Sequence, residues 1–306
     1  MMQNHVNERE RVALFAMRSL KELNTDDLRA LLYWFGSFSN LFDTKAAEIR
    51  GRLDRHLPEK KINAVVRTAT NEDLFYDAED EYHQLLTSQI RMYTYNDPEL
   101  IAAFGNNGYT PVCIFVKGDI LPDSTRRTAC ITGSRTPTKY GLRLTRIIAE
   151  DLSEDGIQIV NQAHPGIEQQ ALITASKCKY RAFVVLPCGL ECWAIQSTLD
   201  RFKDKNVCFM TEYVPKAEML ADSSKDTCRL IASMAPVTVI PQLESESDPC
   251  IAAQLESSCQ TMLIAPGEIL LPQSKGCNDL LRHGQPMLYD TDQVVCELNT
   301  YSRFSK

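Results

Sequence analysis

The sequence lacks several patterns that would assign a function at once. No apolar run approaches the roughly 20 residues that a membrane span needs. The first residues, MMQNHVNERERVALF, place acids where a signal peptide has a basic flank and an apolar stretch. Neither GxGxxG, nor a P-loop, nor a GxSxG elbow occurs, so a dinucleotide site, an NTPase and a serine hydrolase have no support. We expect a cytoplasmic protein with no membrane partner.

Metal ligands are also poorly spaced. The eleven Cys residues form no CxxC pair, and the five His residues lie far apart in the sequence. The odd number of Cys residues, and their positions in apolar segments at Cys113, Cys130 and Cys208, favour reduced, buried thiols over a disulfide framework. We expect no metal and no cofactor. Half of a zinc site at Cys188 and Cys192 is the weaker interpretation.

Charge is unevenly distributed along the 306 residues. The composition, 44% hydrophobic and 24% charged, is typical of a globular protein with two domains. A net charge of −7 argues weakly against nucleic-acid binding, because such domains usually carry a basic surface. The segment from residue 126 to residue 181, however, contains nine basic residues and five acidic residues. This local excess of basic residues surrounds a turn whose residue types suit a phosphate group.

Apolar periodicity divides the chain. Residues 1–85 show helical spacing in VALFAMRSL and DLRALLYWFGSFSNLF, which predicts a helical N-terminal domain. Residues 86–300 form the core domain, which starts with a connector, 86–127, containing the strand-like segments QIRMYTY and PVCIFVKGD. Short apolar strands then alternate with amphipathic helices, and 301–306 form a tail. The alternation predicts an α/β fold, with a Rossmann-like, doubly wound, mainly parallel sheet.

The turn GSRTPTKYG follows the first strand of this core and precedes a helix. Ligands of such sheets bind outside the carboxyl ends of the strands, where helix N-termini offer N–H groups. Gly133 allows close approach of a ligand, Ser134 offers a hydroxyl, and Arg135 offers a planar guanidinium for a phosphate. Lys139 and Tyr140 follow at the start of the helix. A plain strand-to-helix turn is the alternative interpretation.

Later turns are open to the same two interpretations. Gly166, Gly189 and Gly267 each follow a predicted strand and either make room beside a ligand or simply allow a tight turn. Lys179 and Arg181 flank the start of a strand, where solvated charge at the edge of a sheet is the simplest role. No nucleophile pattern accompanies these turns, and we expect no enzymatic activity.

Seven turn and strand-end elements follow one another in a specific order: GSRTPTKYG, HPGIEQQA, VVLPCGL, MTEYVP, DTCRLIAS, APGE and KGCNDLL. In this order they resemble the DNA-processing protein A family (DprA, also called Smf). The segment LLYWFGSFSNLFD resembles the family's helical, SAM-like or helix-hairpin-helix-like region. The resemblance implies a member without the C-terminal winged-helix domain that some relatives carry.

The resemblance also implies a function. Members of this family bind single-stranded DNA and help to load the recombinase RecA on it during natural transformation. The expected partners are therefore single-stranded DNA and a RecA-type recombinase, and the expected assembly is a homodimer. We expect a DNA-binding recombination mediator rather than an enzyme.

The resemblance assigns nucleic-acid binding to particular residues. Arg135 matches the GSR arginine that lines the family's DNA pocket, and Lys179 or Arg181 matches a basic residue before the third strand. Tyr140 or Trp193 offers a surface for base stacking, although a core position or a dimer contact is the alternative for Trp193. The positions that match family motifs and shape the pocket are Gly133, Ser134, Tyr140, Gly166, Gly189, Arg229, Gly267 and Asn278.

The chain departs from the family pattern in four places. Asn161-Gln162 replaces the usual Ser-Gly, Glu168 replaces an Asp, only Arg229 remains of an Arg-Asn-Arg triplet, and residues 246–249 replace Ser-Gly-Ser. Each lost phosphate contact lowers the electrostatic part of nucleic-acid affinity. A diverged nucleotide-binding paralogue therefore stays open as an alternative. So does a nucleotide phosphoribohydrolase-like enzyme, although the Pro-Gly-Gly-x-Gly-Thr loop of such enzymes is absent.

Overall fold

The computed structural model describes most of the chain. The described residues are 2–104, 110–118, 127–203, 205–220, 223–245, 251 and 261–304. Three features of the sequence analysis lie outside them: the basic Arg126, the acidic replacement at 246–249, and most of the helix predicted over DPCIAAQLESS.

Six helices precede the sheet, as the helical spacing predicts: α1 (Met2–Arg18), α2 (Thr25–Phe35), α3 (Phe38–Phe42), α4 (Ala46–Leu53), α5 (Glu59–Ala69) and α6 (Glu72–Thr87). Local sequence explains their limits. Helix α2 begins at a capping box formed by Asn24 and Asp27 and ends at Gly36, whose φ of 75° stops the helix. Phe15 of α1 packs edge-on against Phe115 of the sheet, with ring centroids 6.0 Å apart. The helices and the sheet thus share one apolar core.

The described residues form a sheet of eight strands: β1 (Ile90–Thr94), β2 (Cys113–Lys117), β3 (Thr128–Ile131), β4 (Gln158–Asn161), β5 (Ala182–Val185), β6 (Val207–Thr211), β7 (Val237–Ile240) and β8 (Thr261–Ile264). Their order is β1-β2-β6-β5-β4-β3-β7-β8. The six strands from β6 to β8 are parallel, and β1 and β2 pair antiparallel at one edge. The predicted α/β fold with a mainly parallel sheet is confirmed.

The position of each new strand in the sheet changes from one side of β3 to the other along the chain. Strands β4, β5 and β6 are added on one side of β3, whereas β7 and β8 are added on the other. The boundary between β3 and β7 is therefore the topological switch point, where ligands of open α/β sheets bind.

Helices cover both faces of the sheet: α7 (Pro98–Phe104), α8 (Lys139–Glu154), α9 (Ile167–Ala175), α10 (Gln196–Phe202), α11 (Ser223–Met234), α12 (Lys275–Arg282) and α13 (Thr291–Phe304). Alternate strand residues explain the layers. Ala129 and Ile131 belong to the same buried cluster as the inner residues of α8 and α9, whereas Cys130 belongs to the cluster of α7 and α11. None of the helices in the described ranges combines the length and the apolar composition needed to cross a membrane.

Two of these helices differ from the sequence prediction. Helix α11 occupies a segment in which only loose structure is predicted. Helix α13 extends to Phe304, so the predicted tail at 301–306 begins inside a helix. Val294 and Leu298 are buried one turn apart, and Tyr301 packs against the same core one further turn along, which explains the extension. The division into domains at residue 85 stays a prediction.

Candidate functional site

The turn after β3 is tied to the end of β7. The Ser134 N–H donates a hydrogen bond to the carbonyl of Gln242 at 2.8 Å. The side-chain oxygen of Gln242 accepts from the N–H of Thr138 at 2.8 Å and from its hydroxyl at 3.1 Å. Gly133 has a φ of 150°, and a Cβ there would lie 2.3 Å from the Gln242 carbonyl oxygen. Glycine is therefore required at this position, and the turn is fixed at the switch point.

The turn after β4 packs directly on the first one. The N–H of Ile167, at the start of α9, donates to the carbonyl of Ser134 at 3.1 Å. Gly166 has a φ of 91°, and a Cβ there would lie 2.4 Å from the same carbonyl oxygen. The structure thus brings Gly133, Ser134 and Gly166 together. These two glycines allow backbones to approach each other, which is the structural alternative to making room for a ligand.

A row of polar side chains stands behind Arg135. Its guanidinium Nη2 lies 3.5 Å from Nε2 of His164, and Nδ1 of His164 lies 3.2 Å from a carboxylate oxygen of Glu168. Glu168 also accepts from the Thr132 hydroxyl at 2.7 Å and from the backbone N–H of His164 at 2.8 Å. Because guanidinium only donates and carboxylate only accepts, the neutral tautomer that fits both contacts is the one with its proton on Nδ1.

The ionisation of Glu168 follows from these contacts. Burial alone raises the pKa of this carboxyl, but the donors from His164 and Thr132 outweigh burial and hold the pKa below its ordinary value. Glu168 therefore stays ionised and fixes the orientation of the His164 ring. The sequence analysis identified Glu168 only as a departure from a family pattern, since its partners become visible only in the folded chain.

An acidic side chain also enters the first turn. A carboxylate oxygen of Glu244, beyond the end of β7, accepts from the Ser134 hydroxyl at 2.7 Å and from the Thr136 hydroxyl at 2.5 Å. The Ser134 side chain is buried, and its hydroxyl is occupied by this bond. Ser134 therefore positions the turn instead of facing a ligand. Arg135, Lys139 and Tyr140 remain exposed at the surface.

Three other predicted residues lie at the same edge but are used in packing. The N–H of Gly267 donates to the side-chain oxygen of Asn278, and the Asn278 amide donates back to the Gly267 carbonyl, both at 3.2 Å. A Cβ at Gly189 would lie 2.1 Å from the carbonyl oxygen of Pro215. These contacts hold the later turns in shape, and they leave Gly189 covered by a neighbouring loop.

Lys179 and Arg181 lie at the amino ends of the parallel strands, opposite the carboxyl ends that carry Arg135. Both precede β5, and residues before a parallel strand lie at its amino end, roughly 13 Å from its carboxyl end for a strand of this length. Arg181 Nε donates to Asn206, which precedes β6, at 3.2 Å. The Lys179 ammonium lies 5.4 Å from the centre of the Tyr180 ring. Within one chain, these two bases do not share a pocket with Arg135.

Arg229 and Trp193 also lie apart from the first turn. Arg229, on α11, is 3.6 Å from Asp226 and 4.0 Å from Asp26 of α2, so it faces the N-terminal helices. Trp193 is 82% exposed, which rules out the core position considered for it and leaves a dimer contact or a stacking role. The basic residues between 126 and 181 are therefore divided between the carboxyl ends and the amino ends of the strands.

The described residues offer no built metal site. No three His, Cys, Asp or Glu side chains within these ranges gather as ligands. Burial, together with a hydrogen bond to Cys192, raises the pKa of the Cys188 thiol to about 12. A thiol that keeps its proton at neutral pH is typical of a reduced, buried cysteine.

Comparisons with known proteins agree with this fold. A family model described as DNA recombination-mediator protein A matches residues 91–299. A protein named as a DNA processing protein DprA in Mycobacterium tuberculosis is 26% identical over 234 residues; the match covers 71% of this chain and 60% of the relative. The chain thus spans less than two thirds of that relative's length.

Two solved structures have a similar fold. The X-ray structure of DNA processing protein A from Streptococcus pneumoniae matches with a TM-score of 0.60 at 19% identity, covering 90% of this chain and 98% of that one. DNA processing protein A from Helicobacter pylori, whose structure was described for its single-stranded DNA binding mode, matches with a TM-score of 0.57 at 21% identity, covering 71% and 97%.

Proposed function

This chain belongs to the DNA recombination-mediator protein A family, and we propose that it binds single-stranded DNA at the turn after β3. The observation that supports this proposal most is the state of Arg135. Its guanidinium is exposed at the switch point, and its Nη2 lies 3.5 Å from a ring nitrogen of His164. Among the described residues no carboxylate pairs with it. A phosphate therefore gains a charge-assisted, bidentate contact with Arg135 and displaces no carboxylate from it.

The neighbouring residues suit a ligand of this kind. Lys139, at the start of α8, adds a second exposed base, and Tyr140 is 55% exposed beside it. Charge along the backbone and an aromatic face for a base are the two elements of binding without sequence preference. We expect binding that is strong at low salt and falls as counterions compete.

Membership of the family supports a wider role. We propose that a homodimer of this protein delivers bound single-stranded DNA to a RecA-type recombinase during DNA uptake and recombination, without a chemical step of its own.

The test is fluorescence anisotropy of a labelled oligo-dT at two salt concentrations, for the unaltered protein, Arg135→Ala and Arg181→Ala. Each variant loses one positive charge, Arg135→Ala at the carboxyl ends of the strands and Arg181→Ala at their amino ends. We expect Arg135→Ala to raise Kd about tenfold and to lower the salt slope by about one. Arg181→Ala should change Kd less than about twofold, since surface charges a Debye length away are screened. Equal losses, or no salt-sensitive binding, would contradict the proposal.

A second candidate function is binding of a small nucleotide at the same turn. Glu244 favours this candidate, because a single phosphate can meet Arg135 alone, whereas a run of phosphates has to pass a carboxylate. The measurement is the melting temperature with a panel of mononucleotides, since a ligand that binds only the folded state raises it. A shift that Arg135→Ala abolishes, in a protein that does not bind oligo-dT, would favour the nucleotide.

A further inference from the structure

Two large aromatic side chains lie exposed side by side at the end of α2. Tyr33 is 80% exposed and Trp34 is 36% exposed. Their ring centroids are 5.3 Å apart at an interplanar angle of 83°. The His56 ring lies 4.5 Å from the Trp34 ring at only 30°, so Trp34 stacks on it. Exposed aromatic clusters of this size mark surfaces that bind a partner.

The segment that contacts these rings is rich in basic residues. His56 belongs to the turn between α4 and α5, and residues 45–67 contain seven Lys or Arg against three Asp or Glu. Arg52 Nη1 donates to the backbone carbonyl of Trp34 at 2.9 Å. Arg55 and Lys60 are exposed, and neither forms an ion pair with any described residue. Asp54 is the one exposed acid of the same turn.

The following helix has the opposite charge. Helix α6 carries six Asp or Glu residues and no Lys or Arg. The charges of the helical region are therefore segregated, and the exposed pair Tyr33 and Trp34 belongs to the basic side. An aromatic face that contacts a basic segment fits an anionic chain that carries its own flat rings. Single-stranded nucleic acid has this chemistry, whereas an acidic peptide supplies the charge without the rings.

We propose that Tyr33, Trp34, Arg52, Arg55 and His56, here called the Tyr33 surface, form a second contact for single-stranded nucleic acid. Bases stack on Tyr33 and Trp34, and phosphates pair with Arg55 and with the neighbouring Lys60. The Tyr33 surface extends the function proposed for the Arg135 turn, but it uses different residues on different elements. Each contact can therefore be removed without the other.

The sequence provides its own reporter. Trp34 and Trp193 are its two tryptophans, so Trp193→Phe leaves Trp34 as the sole indole. We expect oligo-dT to quench Trp34 fluorescence in this variant, because a stacked base contacts the indole. An abasic deoxyribose-phosphate strand of equal length should bind more weakly and leave the fluorescence unchanged.

Variants then separate stacking from charge. Tyr33→Ala and Arg55→Ala should each raise Kd for oligo-dT about fivefold. The matched control is Tyr76→Ala, which removes an aromatic side chain that is 60% exposed on the acidic α6, and it should leave Kd unchanged. Circular dichroism of each variant confirms that the helices are intact.

The outcomes distinguish this inference from the proposed function. Quenching of Trp34 that persists after Arg135→Ala supports the Tyr33 surface even if the Arg135 turn fails its own test. Binding that requires Arg135 without any quenching of Trp34 overturns the Tyr33 surface alone. Equal quenching by polyglutamate also overturns it, because the surface would then recognise acidic chains in general. An equal loss of affinity in Tyr76→Ala does the same.

Discussion

Two strand ends at the same edge of the sheet each bury a glutamate, and the two surroundings act on the carboxyl in opposite directions. After β4, Glu168 contacts the His164 ring and accepts hydrogen bonds from the Thr132 hydroxyl and the His164 backbone, and together these lower its pKa. After β6, Glu212 lies under the N-terminal helices, where burial dominates and raises the pKa to about 7. Its carboxylate accepts only from the Thr25 hydroxyl, at 3.0 Å, among the contacts of the described residues.

A nearby arginine does not remove this difference. Arg18 lowers the pKa of Glu212, but less than burial raises it. The Arg18 Nε donates to the backbone carbonyl of Glu212 at 2.5 Å, and its guanidinium lies over the Tyr213 ring at 4.5 Å. The donors and the electrostatic attraction supplied by His164 and Thr132 thus outweigh burial at Glu168, whereas Arg18 and Thr25 do not outweigh it at Glu212.

The largest effect is expected where the turn after β4 is held by backbone packing. Gly166→Ala places a methyl group 2.4 Å from the Ser134 carbonyl oxygen and forces a φ of 91° on a residue with a side chain. Overpacking and backbone strain together should cost about 4 kcal/mol of unfolding free energy. Urea denaturation followed by circular dichroism measures the loss.

Two other glycines separate the causes. Gly284 has a φ of 94° with nothing near its Cβ position, and Gly51 lies in a helix with nothing near its own. Gly284→Ala should cost only the strain, about 1 kcal/mol, whereas Gly51→Ala should stabilise α4 by about 1 kcal/mol. If Gly166→Ala and Gly284→Ala lower the free energy of unfolding by the same amount, the packing between the turns after β3 and β4 does not stabilise the site.

The next effect tests the two glutamates directly by their pH dependence. Because the folded pKa of Glu212 is raised from 4.5 to about 7, the folded state holds a proton that the unfolded state releases between these values. Stability therefore falls as pH rises through that window, by about 3 kcal/mol in total. Glu212→Gln should remove this loss and be more stable than the unaltered protein at pH 8.

Glu168 should show the opposite sign. Its lowered pKa contributes stability that is present above its unfolded value and is lost as pH falls through the folded one. Glu168→Gln should therefore cost about 2 kcal/mol at pH 7, since buried donors lose their acceptor, and the difference should shrink in acid. Unfolding midpoints measured from pH 3 to pH 8 test both variants. The stability of each variant relative to the unaltered protein should change with pH in opposite directions. A change in the same direction for both would contradict the contrast between Glu168 and Glu212.

The smallest effect concerns the acid in the first turn. Glu244→Gln removes a negative charge beside Arg135 while it keeps an oxygen that can accept from Ser134 and Thr136. The affinity for oligo-dT should rise about threefold at low salt, and the gain should fade at high salt because of screening. Anisotropy titrations provide the measurement, and unchanged affinity would mean that a bound strand does not pass this carboxylate.

Local patterns predicted the elements well. Alternating strands and helices after residue 128 predicted the parallel sheet, because each unit is encoded within a few neighbouring residues. Helix α11 was missed, since its first residues are polar, and the end of α13 was missed, since Tyr301 is flanked by polar residues in NTYSR.

Contacts between distant residues could not be predicted in this way. Glu244 and Ser134 are 110 residues apart, and no local signal links them. The separation of Lys179 and Arg181 from Arg135, by contrast, follows from chain direction, because residues before and after parallel strands lie at opposite edges. The resemblance to family motifs instead predicts one of these two residues in the same pocket as Arg135.

The switch point also sets the order of folding. Strands β4, β5 and β6 pair with neighbours along the chain, as in Thr128↔Gln158, whereas Ala129 pairs with Val237 only after a loop of more than 100 residues has closed. The bonds from Ser134 and Thr138 to Gln242 depend on that late pairing. We expect a nascent or partly refolded chain to hold most of its sheet before it can hold a ligand at Arg135, so ligand binding reports completion of the fold.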